Sequence, residues 1–162
     1  DLHRPRRVQK LLAGPLGPIL SRFASRAKFL NGFADIFGKN TRPVGEQLAE
    51  FWPAIKGING RGAFTRRIRY MAERKQHAAR WVGAIRDAHM PLMMINGLDD
   101  PVSGAHAADG WSKLVPKAKL ARLPGIGHYP QVEDPETVVE LVNQFHDCIV
   151  EKTTPLASAK SA

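Results

Sequence analysis

The chain has 162 residues, of which 43% are apolar and 24% are charged, as in an ordinary globular domain. No apolar run approaches the ~18 residues that a membrane-spanning helix requires. Cys148 is the single cysteine, which excludes an internal disulfide and a metal cluster built on thiolates. No secretory leader is recognisable, but the chain opens with Asp1 instead of Met, so its true start can be missing.

The net charge of +9 is distributed unevenly. Residues 1–90 contain 18 Lys and Arg against 6 Asp and Glu, whereas residues 91–162 contain 6 against 9. Such charge asymmetry is typical of proteins that bind an anionic partner, but also of proteins with a solvated basic helical face. Since no zinc spacing, RNP signature or KH-type clamp is present, no nucleic acid is expected as a partner. We expect a cytoplasmic protein, with association to an anionic membrane surface as the alternative.

The apolar spacing within residues 1–89 predicts helices that are separated by Gly and Pro breaks. No segment in this range shows the alternation of apolar and polar residues that is typical of a strand. We therefore predict an all-helical lid domain, in which Pro53 bends one helix. The predicted helical segments are Arg6–Ala13, one marked by Ile19, Leu20, Phe23, Ala27 and Leu30, one marked by Leu48, Phe51, Trp52 and Ile55, one marked by Phe64, Ile68 and Met71, and one marked by Trp81, Val82 and Ile85.

Residues 90–151 have a strand–helix–strand–helix pattern, typical of part of an α/β fold. The predicted elements are a strand at Leu92–Ile95, a crossover helix at Ala105–Val115, a strand at Lys119–Leu123 and a helix that follows the N-cap Asp134. The first strand is a continuous apolar run between turn residues, which favours burial on both faces. Residues 152–162 are small and polar and predict a disordered tail.

Each predicted strand leads into a glycine-containing loop with polar side chains. Gly97 and two acids follow the first strand, and Gly127-His128 follows the second. Because parallel strands end at the same sheet edge, we expect Asp100 and His128 to meet there. A carboxylate that accepts the Nδ1–H of an imidazole fixes its tautomer and stabilises the imidazolium. Asp99 is the rival for the acid role, and an ordinary turn function for the two acids is the alternative.

The chain lacks parts that this chemistry needs. Two parallel strands are too few for a stable doubly wound sheet. No Gly-x-Ser-x-Gly motif or comparable nucleophile elbow is present. We therefore expect the C-terminal portion of a longer protein, whose nucleophile and oxyanion hole lie outside this sequence. Such a fragment is expected to be inactive alone.

The stretches Pro91 to Pro101 and Gly127 to Pro135 together resemble the end of an α/β-hydrolase. The resemblance extends through the lid and is closest to the mesoderm-specific transcript subgroup, near the epoxide hydrolase and haloalkane dehalogenase branch. Its lid segments are His3-Arg4-Pro5, Gln9-Lys10-Leu11-Leu12, Thr41-Arg42-Pro43, Arg74-Lys75 and Arg80-Trp81-Val82-Gly83-Ala84. The resemblance implies an α/β fold class: the C-terminal part of an α/β-hydrolase fold, with two parallel strands preceded by an all-helical lid.

The resemblance also implies roles for individual residues. Asp100 matches the family's Gly-x-x-Asp and would orient the histidine; His128 matches the Gly-His pair and would be the general base. Trp52 and Tyr70 are weaker candidates for substrate binding, with packing as the alternative for both. Tyr70 is the lid tyrosine that would bind an epoxide oxygen, although epoxide hydrolases use two. No cofactor or metal is implied.

The resemblance therefore implies a hydrolase that cleaves an ester, epoxide or carbon–halogen bond in a small apolar substrate. The nucleophile, an aspartate or a serine in this branch, would lie outside the chain. The alternative is a non-catalytic interaction module that binds an anionic membrane surface or a protein through the basic lid. The oligomeric state is left open.

Overall fold

The computed structural model describes residue 4, residues 6–14, residue 19, residues 25–56 and residues 70–153. Within these ranges a helical part precedes a small α/β part. The helical part contains α1 (Arg7–Ala13), α2 (Arg26–Ala34), α3 (Gly45–Lys56), α4 (Tyr70–Gln76) and α5 (Ala78–Arg86). The α/β part contains β1 (Met93–Gly97), α6 (Ala105–Leu114), β2 (Lys119–Leu123), α7 (Pro130–Glu133) and α8 (Pro135–Thr153).

The predicted helical segments are present where the chain is described, with one correction. The segment marked by Ile19 to Leu30 is not one continuous helix, because the backbone is extended at Ser25 and the helix there runs from Arg26 to Ala34. Helix α2 begins after Ser25, whose hydroxyl accepts the Lys28 N–H at 3.2 Å and so caps the first turn. Helix α3 contains Pro53 in its interior, as expected. The predicted markers outside the described residues are Leu20, Phe23, Phe64 and Ile68.

The two strands pair in parallel, with Met93 opposite Lys119 and Gly97 opposite Leu123. The pairing continues beyond the strands, because the Leu98 N–H donates to the Leu123 carbonyl at 2.9 Å. The loop after β1 (residues 98–104, the acid loop) therefore lies beside the loop after β2 (residues 124–129, the histidine loop). This is how the backbone brings the polar residues of both loops to one sheet edge.

Two expectations about the α/β part were wrong in detail. The apolar residues of β1, Met93 to Ile95, are only half-buried instead of buried on both faces. The reason is that the sheet of the described residues has two strands, so one edge of β1 has no neighbour there. Helix α8 also runs on to Thr153, so two residues assigned to the tail are helical, and residues 154–162 lie outside the described part.

The buried apolar side chains lie in α2 and the loop that follows it, around α6, and in the histidine loop. They are Leu30, Ala34, Phe37, Val102, Ala107, Ala108, Val115 and Ile126. The α2–α3 loop (residues 35–44) contacts the histidine loop directly, since the Ile36 carbonyl accepts the His128 N–H at 2.8 Å. The helical part is thus joined to the sheet edge at the histidine. No helix of the described ranges combines the length and apolar character needed to cross a membrane.

Candidate active site

Asp100 lies in the acid loop and is 7% exposed. Its carboxylate accepts the N–H groups of Val102 at 2.8 Å and Ser103 at 2.9 Å, because the loop turns back over the side chain. Burial raises the pKa of this carboxyl, but the hydrogen bonds from the His128 ring and from these two N–H groups outweigh burial, so the pKa lies below the ordinary 3.8. Asp100 is therefore an ionised acceptor at neutral pH.

His128 meets this carboxylate, with Nδ1 2.7 Å from Asp100 Oδ2. Because an ionised carboxylate only accepts, Nδ1–H is the donor, and the neutral ring carries its free lone pair on Nε2. The side chain is 32% exposed, and no described residue forms a hydrogen bond with Nε2. The imidazole is thus oriented at one nitrogen and available for proton transfer at the other.

Asp99 takes a different position, although it is adjacent in sequence. Its side chain is exposed, and its Oδ1 accepts the Gly125 N–H at 3.3 Å. Its own N–H donates to the Ile126 carbonyl at 2.9 Å. Asp99 therefore joins the acid loop to the histidine loop, while Asp100 is the acid that contacts the imidazole.

Tyr129 places an aromatic cluster beside the histidine. Its ring lies 4.9 Å from the His128 ring, edge to face at 88°, and 5.5 Å and 5.3 Å from the rings of Phe33 and Phe37. Phe51 of α3 packs on both phenylalanines, at 5.1 Å and 5.8 Å. Burial, together with the neighbouring Asp100 and Tyr70, raises the pKa of Tyr129 above the ordinary 10.0, so the phenol stays neutral. Tyr129 therefore packs among aromatic rings beside the histidine.

The two weaker candidates lie apart from each other. Trp52 packs within the helical part, where its ring is 6.1 Å from that of Phe29 and lies under the Arg26 guanidinium at 5.8 Å. Tyr70 begins α4, is 44% exposed and lies close enough to Tyr129 to influence its pKa. Tyr70 therefore lies in the neighbourhood of Tyr129, whereas Trp52 lies among lid side chains.

Sequence reasoning missed two features of this site. One is the group Phe33, Phe37 and Phe51; the spacing of Phe33 and Phe37 by four residues was the available signal. The other is Glu133, whose carboxylate accepts hydrogen bonds from both the α2–α3 loop and the histidine loop. Its position five residues after the histidine gives no local sign of that long-range contact. Among the described residues, no group of His, Cys, Asp and Glu side chains is arranged to hold a metal ion.

Two parallel strands joined by a crossover helix form part of an α/β fold. An acid follows the first strand and a histidine follows the second, which is the chain order of these groups in α/β-hydrolases. Solved structures agree. The structure titled as Est816, an N-acyl homoserine lactone degrading enzyme, matches with a TM-score of 0.58 at 18% identity, over 83% of this chain and 53% of that one. A membrane phospholipase A, described as a bacterial virulence factor, matches with a TM-score of 0.57 at 17% identity, over 86% and 44%.

Sequence relatives point the same way. A Mycobacterium tuberculosis protein named as a hydrolase, LipZ, is 42% identical over 136 residues, which are 83% of this chain and 47% of LipZ. The mesoderm-specific transcript protein of Mus musculus is 34% identical over 139 residues, 83% of this chain and 42% of that protein. No family model matches the chain. The chain spans less than half the length of these relatives, and together the matches relate it to the α/β-hydrolase superfamily.

Proposed function

We propose that this chain supplies the acid and the general base of an α/β-hydrolase catalytic triad. The observation that carries the proposal is the 2.7 Å contact between Asp100 Oδ2 and His128 Nδ1. In this mechanism Asp100 holds the imidazole and stabilises the imidazolium, while His128 Nε2 accepts the proton. The relationship to LipZ, which is named as a hydrolase, supports the reaction class.

In this proposal the nucleophile belongs to a segment of polypeptide that is not part of this 162-residue sequence. The half-buried β1 and the coverage of less than half of the relatives support this arrangement. If the nucleophile is a serine, His128 takes the proton of its hydroxyl as the hydroxyl attacks. If it is an aspartate, His128 instead deprotonates the water that hydrolyses the ester intermediate.

The proposed substrate is a small apolar ester, with epoxides and carbon–halogen compounds as the other substrate classes. The cluster of Phe33, Phe37 and Tyr129 supports an apolar substrate, because the Tyr129 ring lies against the imidazole and the two phenylalanine rings pack on Tyr129. Tyr70, which is exposed and influences the pKa of Tyr129, is a candidate donor to the substrate oxygen. Trp52 is not proposed for this role, since its ring packs on Phe29.

The test replaces the histidine in the intact protein. His128→Gln is compared with His146→Gln, because His146 forms a second His–Asp pair, with Asp147 at 3.6 Å, whose side chains are 72% and 74% exposed. Initial rates are measured with p-nitrophenyl acetate and butyrate, an aryl epoxide and a short haloalkane. We expect H128Q to lose on the order of 10⁶-fold in kcat, as when the histidine of a catalytic triad is removed, and H146Q to match the parent. Turnover that is present in the parent and unchanged in H128Q would refute the proposal. Hydrolysis by the 162-residue chain alone would instead refute the external nucleophile.

A second candidate function, binding to an anionic membrane surface, is favoured by helix α5. Its Trp81, Val82 and Ile85 are 41%, 41% and 39% exposed, and Arg80 on the same helix is exposed as well. A helix that presents apolar and basic side chains together can lie in a lipid headgroup region. Co-sedimentation with phosphatidylserine vesicles tests this candidate. Binding that weakens steeply between low and high salt is expected, and equal recovery with neutral phosphatidylcholine vesicles would contradict it.

A further inference from the structure

Glu133, the last residue of α7, receives hydrogen bonds from two separate segments of the chain. From the histidine loop it accepts the N–H of Gly127 at 2.7 Å and the N–H of Tyr129 at 3.0 Å. From the α2–α3 loop it accepts the N–H of Gly38 at 2.9 Å and the hydroxyl of Thr41 at 2.5 Å. The two segments are more than 80 residues apart in sequence, and this one carboxylate joins them.

The contacts from the histidine loop surround the residue that carries the imidazole. Gly127 and Tyr129 donate to Glu133, and the N–H of His128 between them donates to the Ile36 carbonyl at 2.8 Å. The backbone N–H groups of His128 and of both its neighbours in sequence are therefore hydrogen-bonded. Asp100 fixes the ring itself at Nδ1. With the backbone and one ring nitrogen both held, the direction of Nε2 is determined.

The electrostatics of Glu133 agree with this geometry. Partial burial by itself raises the pKa of this carboxyl, but the hydroxyl of Thr41 and the N–H groups of Gly38, Gly127 and Tyr129 lower it below the ordinary 4.5. The carboxylate is therefore ionised at neutral pH. Its hydrogen bonds are charge-assisted and stronger than those between neutral groups.

The backbones at this junction also lie in direct contact. A Cβ atom added to Gly127 would come within 2.5 Å of the Gly38 nitrogen, the Ile36 oxygen and the Phe37 carbonyl carbon. The loops therefore meet with no side chain between them, and a small shift of the α2–α3 loop reaches the His128 backbone directly. Glu133 accepts hydrogen bonds from both sides of this contact.

We propose that Glu133 is a positioning residue for His128, which locks the histidine loop to the α2–α3 loop and thereby sets the direction of Nε2. This inference rests on the proposed hydrolase function. Glu133 acts through the backbone and touches no reacting atom. Displacing a catalytic group by ~1 Å can lower a rate about 100-fold, so a lock of this kind contributes to kcat even where the fold survives its loss.

The test compares Glu133→Gln with Glu136→Gln in the intact protein. Glu136 is exposed in the first turn of α8, three residues away, so E136Q removes the same charge without these contacts. In E133Q one oxygen is replaced by an NH₂ group, which cannot accept a backbone N–H. With p-nitrophenyl butyrate we expect kcat to fall about 10- to 100-fold in E133Q, with a smaller change in KM, and to stay at the parent value in E136Q.

Thr41 provides a milder variant for the case in which E133Q does not fold. Thr41→Val removes the hydroxyl donor, and Thr41→Ser keeps it. We expect a smaller fall in kcat for T41V, recovery in T41S, and no further loss when T41V is added to E133Q, since both act through one carboxylate. If the losses of kcat caused by T41V and E133Q were additive in the double variant, the proposed positioning role of Glu133 would be refuted.

Amide hydrogen exchange tests the contact between the two loops independently of enzymatic activity. The amides of Gly38, Gly127 and Tyr129 are expected to exchange faster in E133Q than in the parent and E136Q. Faster exchange or a lower Tm with kcat per folded molecule within about twofold of the parent indicates a purely structural role and overturns the inference. The H128Q variant separates the two proposals: an inactive H128Q with a fully active E133Q rejects only the positioning role, whereas an active H128Q rejects the hydrolase function.

Discussion

Replacement of Asp100 by Asn tests the site through stability and activity together. The carboxylate is 7% exposed and accepts Val102 N–H and Ser103 N–H on separate oxygens, with the His128 ring sharing the second oxygen. An asparagine offers one oxygen in place of two. Either orientation of its amide therefore leaves at least one of these backbone N–H groups facing an NH₂ group.

The magnitude follows from the group that is left unpaired. A buried donor without an acceptor costs about 1–3 kcal/mol, and for a chain of this size Tm falls by about 2–4 °C for each kcal/mol. The effect on catalysis is larger. If NH₂ faces the histidine, it donates to Nδ1 and moves the ring proton to Nε2, which is the wrong tautomer for a base. The corresponding change in a serine protease lowers kcat by about 10⁴-fold, and we expect a loss of that order here.

The assay measures Tm by circular dichroism and kcat with p-nitrophenyl butyrate on the intact protein. Asp99→Asn is the matched control, because Asp99 is exposed and the hydrogen bond that its side chain accepts from the Gly125 N–H is 3.3 Å long. We expect D99N to stay close to the parent in both measurements. If D99N lost more activity than D100N, or if D100N kept the parent's Tm and kcat, the assignment of the buried acid would be wrong.

Two further predictions follow from the junction of the loops. In the folded protein the pKa values of Glu133 and Asp100 lie below the ordinary values of 4.5 and 3.8. The two carboxylates therefore contribute fully to stability at a pH above the ordinary pKa values, and this contribution is lost as the pH falls through the lower pKa values of the folded protein. Urea denaturation across that acid range should show stability falling with pH, and a flatter dependence in E133Q; identical profiles would contradict this. Gly127→Ala should be strongly destabilising, because the added Cβ atom would come within 2.5 Å of backbone atoms of the α2–α3 loop. At Gly32 in α2, by contrast, nothing lies within 4 Å of an added Cβ atom. Gly32→Ala should therefore stabilise by about 0.5–1 kcal/mol, and equal thermal stability of the two variants would exclude this packing argument.

The sequence alone determined the local elements, because their signals are local. The apolar spacing of the helices, the short run of β1 and the turn residues after each strand all act within a few residues. The N-cap Asp134 is an example: its Oδ1 accepts the Thr137 N–H at 3.2 Å, as its place before Pro135 predicts. The expectation that an acid and a histidine would share one edge also needed only the rule that parallel strands end together.

The tertiary structure decided which groups meet at that edge. Asp99 and Asp100 differ by one position, and only the path of the acid loop turns one towards Gly125 and the other towards His128. The half-burial of β1 likewise depends on which strands surround it, which no property of its own residues determines. The contacts of Glu133 with Gly38 and Thr41 span more than 90 residues, so no spacing in the sequence could reveal them. Contacts of this kind exist only once the whole backbone has folded and brought distant N–H groups to one carboxylate.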